Sequence, residues 1–146
     1  MPKVLILEAR FYNHIADGLL SGAVAALEAA GYGHDVIQLP GIYELPAALG
    51  LAVESGKTAH YAGFITLGCA IRGESDHYHF ICGECFRGLS DIAVRHNLAL
   101  GNGVLTVHNE SQALRRSDPA QKDHGGQAAR AVLRMIEVKK QWGLSA

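Results

Sequence analysis

The sequence predicts an α/β fold: a three-layer sandwich in which a four-stranded parallel sheet is flanked by helices on both faces. Three observations carry this reading. Short apolar runs alternate with longer amphipathic stretches along the whole chain, the pattern of strand, crossover helix and strand. Two of the runs, Val4 to Glu8 and Ala62 to Leu67, are nearly continuous apolar stretches, as strands covered on both faces are. Hydrophobic residues make up 49% of the 146 residues and charged ones 18%, which suits one domain over 1–146 with its own core and no disordered tail.

Val4 to Glu8 is the first run, followed by a loop from Ala9 to Asn13. Asn13 can cap a helix over 14–30, whose apolar face is Ile15, Leu19, Ala23, Ala26, Leu27 and Ala30; Gly31 and Gly33 end it. His34 to Leu39 is the second strand, broken by Pro40-Gly41. A helix over 46–54 carries Pro46 in its first turn, where the missing N–H has no helical partner to lose. Ala62 to Leu67 is the third strand. Gly68 to His79 reads as a loop, and a helix over 80–97 brings Ile81, Phe86, Leu89, Ile92 and Ala93 to one side. The fourth strand falls in 98–107, its edges blurred by Gly101-Asn102-Gly103. A short helix starts around 109–113 and ends near Ser117-Asp118-Pro119. The last helix, over 122–142, has an apolar stripe of Ala128, Ala131, Val132, Met135 and Ile136 and a double glycine, Gly125-Gly126, suited to close packing.

Several function classes are disfavoured. The formal net charge of -1 argues against a surface that coats nucleic acid. No apolar run approaches bilayer length, and the N-terminal run lacks the pattern of a signal peptide. Cys69, Cys82 and Cys85 are odd in number and read as reduced thiols of a cytoplasmic protein.

In such a sheet ligands bind beyond the carboxyl ends of the strands. That points to the loops 9–13, 40–46 and 68–79 and the segment after Leu105. Phe11 can stack on a flat heterocycle or simply cover the sheet edge. Arg72 and Arg116 offer guanidinium forks for an anion, against the alternative of surface ion pairs with Glu74 or Asp76. His77 and His79 are candidate proton carriers. His77, His79, Cys82 and Cys85 are ligand types that zinc accepts, but the predicted helix sets the two cysteines apart from the histidines, and no metal is expected. Cys69, at a strand end, reads as an inert buried thiol.

Ala-Arg-Phe-Tyr-Asn at 9–13, Pro-Gly-Ile-Tyr-Glu-Leu-Pro at 40–46, Leu-Gly-Cys-Ala-Ile-Arg-Gly-Glu-Ser-Asp-His-Tyr at 67–78 and Gly-Val-Leu-Thr at 103–106 with Asn-Glu-Ser-Gln-Ala at 109–113 together resemble the lumazine synthase family, over nearly the whole chain and in the right order. The resemblance implies a flavodoxin-like sandwich and a transferase of riboflavin biosynthesis. The reaction it implies condenses 5-amino-6-(D-ribitylamino)uracil with 3,4-dihydroxy-2-butanone 4-phosphate to the lumazine, releasing phosphate and water, with no cofactor. By the same resemblance Phe11 stacks on the pyrimidine, and Ile42, Tyr43 and Glu44 meet that substrate, Glu44 accepting from ribityl hydroxyls. Cys69, Ala70 and Ile71 present backbone to the ring. Glu74 and Ser75 flank the phosphate and Arg116 pairs with it. His77 transfers protons, and Asn102 reaches in from a neighbouring subunit. Arg72 matches an arginine of the motif without being its phosphate ligand.

The chain departs from the family pattern at Ser75 and Asp76, where many members have Thr, at Ile42, where many have Ala or Gly, and at His124, where a lysine is common. The resemblance also implies pentamers. With no arm ahead of the first strand and no Gly-x-Lys-x-Gly kink at 117–125, a free pentamer is expected rather than a shell. A flavin- or lumazine-binding protein without catalysis is the alternative reading. A flavodoxin-type electron carrier is a third, and the loop 9–13 lacks the Ser/Thr-rich phosphate cradle that it needs.

Overall fold

The computed structural model describes residues 2–144. Its elements are β1 (Lys3–Ala9), α1 (Asn13–Ala29), β2 (Gly33–Leu39), a 3-10 turn (Ile42–Glu44), α2 (Leu45–Glu54), a second 3-10 turn (Lys57–Ala59), β3 (Gly63–Ile71), α3 (His77–His96), β4 (Leu100–Val107), α4 (Glu110–Ser117) and α5 (His124–Gln141). The four strands form one parallel sheet in the order β2-β1-β3-β4. The chain steps outward from β1 to β2, then crosses back over β1 to β3. The loops that leave β1 and β3 therefore diverge, and a crevice opens between them.

Alternate residues of each strand serve opposite faces, as the two-residue period requires. Val4, Ile6, Ile65, Leu67, Leu105 and Val107 pack with α1, α4 and α5 around Ile15, Leu19, Ala113, Ala129 and Val132. Leu5, Leu7, Phe64 and Val104 pack with α2 and α3 around Leu45, Leu49, Cys85 and Leu89. The predicted three layers are present.

The differences from the sequence reading that matter for the site are at β3, α3 and β4. β3 does not stop at Leu67 but runs on to Ile71, because β4 continues beside it with Cys69, Ala70 and Ile71 in register with Leu105, Thr106 and Val107. Gly68 stays in the strand because a Cβ there would lie 2.7 Å from Ile42 Cγ2; the glycine marks a tight approach rather than a turn. α3 begins at His77, not at 80, so His77 and His79 lie in its first turn. β4 passes straight through Gly101-Asn102-Gly103, since a Cβ on Gly101 would collide with the Ala128 carbonyl of α5. Two smaller corrections follow. Asn13 is already helical and Tyr12 takes the cap position. Phe86 and Met135, expected in the core, are 38% and 43% exposed and line an open apolar groove beside β4.

Candidate active site

The crevice between the tips of β1 and β3 holds a cleft of about 600 Å³. Its walls include Phe11, Ile42, Tyr43, Glu44, Cys69, Ala70, Ile71, Ser75 and His77. The structure thus gathers most of the sequence-predicted residues in one place. Phe11 is 71% exposed and Tyr43 61%, so two aromatic rings stand in water at the rim of an apolar recess.

Phe11 is not loose. The loop that bears it is fastened by Arg10, a residue the sequence reading passed over. The Arg10 N–H donates to the Leu39 carbonyl at the end of β2, at 3.0 Å. Its Nε donates to Glu8 Oε2 at 3.1 Å, and its Nη1 meets Asp17 Oδ1 at 2.7 Å and the Asn13 carbonyl at 3.4 Å. Glu8 is fully buried, and its other oxygen, Oε1, has no hydrogen-bond partner among the described residues. The spacing carried a signal: residues two apart in a strand share a face, so Glu8 and Arg10 can pair. The hydrogen bond that Arg10 donates to Glu8, with a further one to Asp17 and against the opposing pull of burial, makes Arg10 still harder to deprotonate than usual. Held in this way, Phe11 projects past Tyr12, whose ring it meets edge-on with centroids 4.9 Å apart.

Ile42 is buried and closes the floor against Gly68, while Glu44 is half-buried at the wall. Cys69 is buried, and burial first, with the neighbouring Cys82 second, pushes its thiol up to about 12. At neutral pH it is a thiol and no nucleophile; the cleft meets it as packing and backbone. His77 opens α3, and its N–H donates to Ser75 Oγ at 3.3 Å. Its exposed ring can exchange protons with a ligand. The N–H groups of His77 and His79 in the first turn are already bonded, to Ser75 Oγ and the Asp76 carbonyl, but the positive end of this long helix dipole lies at the cleft residues His77 and Tyr78, an environment that favours an anion. Glu74 is exposed on the same loop and does not line the cleft.

Arg116 and Asn102 are not in this cleft. They line a second one, of about 540 Å³, on the outer side of β4 with Thr106, Lys122, His124 and Gln127. Arg116 comes from the last turn of α4, a helix whose start is fixed by Asn109 accepting the Gln112 N–H at 2.9 Å. His124 begins α5. Burial first, then the charge of Arg116, lowers its pKa below the usual imidazole value, so at neutral pH the positive charge here is carried by Arg116 and Lys122. Among the described residues no group of three or more His, Cys, Asp or Glu side chains is placed to hold a metal ion. Cys82 and Cys85 are buried in the core while His77 and His79 are exposed. No helix among the described residues is long and apolar enough to cross a membrane.

One chain therefore carries an aromatic cleft with an exposed imidazole and, apart from it, a basic cleft with an arginine. A family model described as 6,7-dimethyl-8-ribityllumazine synthase matches residues 1–140. The chain is 65% identical to the 6,7-dimethyl-8-ribityllumazine synthase of Paramagnetospirillum magneticum, with 100% of both chains covered. It is 49% identical to that of Agrobacterium fabrum, over 97% of each chain. It is 48% identical to the 6,7-dimethyl-8-ribityllumazine synthase 1 of Rhizobium meliloti, over 96% of this chain and 93% of that one. With the two clefts and these matches together, the chain belongs to the 6,7-dimethyl-8-ribityllumazine synthase family.

Proposed function

We propose that the protein is a transferase of riboflavin biosynthesis that makes 6,7-dimethyl-8-ribityllumazine from 5-amino-6-(D-ribitylamino)uracil and 3,4-dihydroxy-2-butanone 4-phosphate. The observation that carries this reading is the exposed Phe11 ring, on a loop fastened by Arg10, sharing one apolar cleft with His77. An amine of the pyrimidine attacks the ketone to give an imine and a first water, phosphate leaves by elimination to give an enol that becomes a ketone, and the second amine closes the new ring on that carbonyl as a second water departs. The protein holds the two reactants in place and moves protons. Phe11 stacks on the pyrimidine, Tyr43 and Ile42 bound its edges, and Glu44 accepts from the ribityl hydroxyls. The backbone of Cys69, Ala70 and Ile71 lies along the ring. Ser75 and the N-terminus of α3 receive the phosphate with Glu74 beside it, and His77 gives and takes the proton.

Arg116 and Asn102 enter this site from a second copy, whose basic cleft closes over the aromatic one. The apolar groove of about 660 Å³ along β4, lined by Phe86, Val94, Leu100, Met135 and Trp142, supports such a neighbour, because an exposed apolar surface of this kind marks an interaction site. The assembly is a cytoplasmic homopentamer. Purified protein mixed with both substrates is expected to raise the absorbance of the lumazine faster than the uncatalysed condensation. A rate no higher than in buffer overturns the reading. Native mass spectrometry is expected to give a pentamer, and shell-sized particles would overturn that part.

A further inference from the structure

Thr66 stands out in β3. It is fully buried between Ile65 and Leu67, in a strand otherwise built of apolar residues and glycine. A buried hydroxyl is costly unless it is bonded, and valine would fill the same space. Its Oγ1 donates to Asn102 Oδ1 at 3.1 Å, across the rung where Thr66 and Asn102 are in register. The same Oδ1 accepts the Val104 N–H, also at 3.1 Å. A backbone N–H can only donate, so the atom that faces it is the oxygen of the carboxamide and not its nitrogen. Asn102 is thereby locked in one orientation, with Oδ1 turned into the sheet. Its two Nδ2 donors have no acceptor among the described residues, and the side chain is exposed where the basic cleft meets the apolar groove.

We propose that Thr66 is a positioning residue that fixes Asn102 as a donor for a carbonyl oxygen of the flat heterocycle bound in the site of a second copy. This rests on the reading that one copy's β4 edge completes the neighbour's cleft. A sugar hydroxyl can both donate and accept, so it has no need of a carboxamide held in a single orientation. A ring carbonyl only accepts, and a flipped carboxamide would set oxygen against oxygen. The lock distinguishes the two orientations only for an acceptor of the second kind.

Calorimetric titration of the assembled protein with 5-amino-6-(D-ribitylamino)uracil alone tests this, with turnover measured beside it. Thr66→Val is expected to weaken binding roughly fivefold, the worth of one neutral hydrogen bond. Thr66→Ser is expected to restore it, and the KM of the phosphorylated substrate is expected to stay unchanged in both. Asn102→Asp, which replaces the donors by a carboxylate, is expected to weaken binding by about tenfold or more, the cost of opposing a charged acceptor to a carbonyl. Equal affinity of Thr66→Val and the unaltered chain overturns the inference, as does full affinity in Asn102→Asp, which a hydroxyl partner would allow. Absence of pyrimidine binding by the unaltered chain overturns it too. Binding that follows the predicted order without any turnover removes the proposed reaction and leaves the positioning role standing.

Discussion

The two clefts of this chain differ in almost every physical respect. The one at the tips of β1 and β3 is aromatic and apolar, with one exposed imidazole at a helix start. The one outside β4 is polar and basic, with Arg116, Lys122 and a His124 kept neutral by its surroundings. The first can grip a flat ring but, among the described residues, has no guanidinium in its lining. The second can neutralise an anion but, among the described residues, has Phe86 as its single Phe, Tyr or Trp wall. Each lacks what the other has, and a fold with two such incomplete recesses on different flanks of one sheet is suited to closing them against copies of itself.

The sharpest way to break that comparison is to cripple the clefts in separate chains. His77→Ala is expected to lower kcat by about a hundredfold, the usual share of a positioned proton carrier. Arg116→Ala chains are likewise impaired. When the two variants are unfolded together and refolded as mixed assemblies, about a quarter of the sites receive both intact clefts, and activity is expected to rise above either parent. No gain in the mixture would mean that His77 and Arg116 serve one chain's site.

A smaller effect separates the clefts by substrate. Arg116→Ala is expected to raise the KM of the phosphorylated substrate by tens of fold, roughly the value of hydrogen bonds to a charged group, and to leave the KM of the pyrimidine within about twofold. A pyrimidine KM that rises equally would place Arg116 elsewhere. The smallest effect is a titration. His124 has a depressed pKa, so its neutral form is the one that the fold favours. Its contribution to stability is complete above the ordinary value of 6.5 and is lost as pH falls towards the lowered one. Nuclear magnetic resonance of the His124 ring in Arg116→Ala is expected to show the pKa moving up, but not fully to its ordinary value, because burial is the larger cause.

How much of this was legible beforehand varied with the range of the interaction. The alternation of strands and helices, and the gathering of the loops 9–13, 40–46 and 68–79 beyond the ends of the strands, followed from local pattern; the choice of Ile42 to Glu44 within them came from the family resemblance. The end of β3 did not. Gly68 looks like a turn in sequence, and only the contact with Ile42 and the register with β4 reveal it as strand. Gly101 and Gly103 misled for the same reason, Gly101 answering to the nearness of α5 and Gly103 to Leu67 of β3 as well as to α5. The pairing of Thr66 with Asn102 depends on register between strands far apart in the chain, and nothing in either neighbourhood announces it. Phe86 was read as core because helical spacing fixes a face but not what covers it.

The fastening of the first loop has a consequence for how this protein can change. Arg10 is the only partner that Glu8 has among the described residues, and Glu8 is fully buried with one oxygen already unanswered. Arg10→Ala would strand a whole carboxylate in the core, at a cost of about 3–5 kcal/mol, much of the margin that a domain of this size possesses. Thermal melting is expected to register that loss even in the absence of substrate. The posture of Phe11 and the survival of the fold are therefore drawn from the same ion pair. A lineage could retune Tyr43 or Ser75 one substitution at a time, but it could move the Phe11 loop only by replacing Glu8 and Arg10 together.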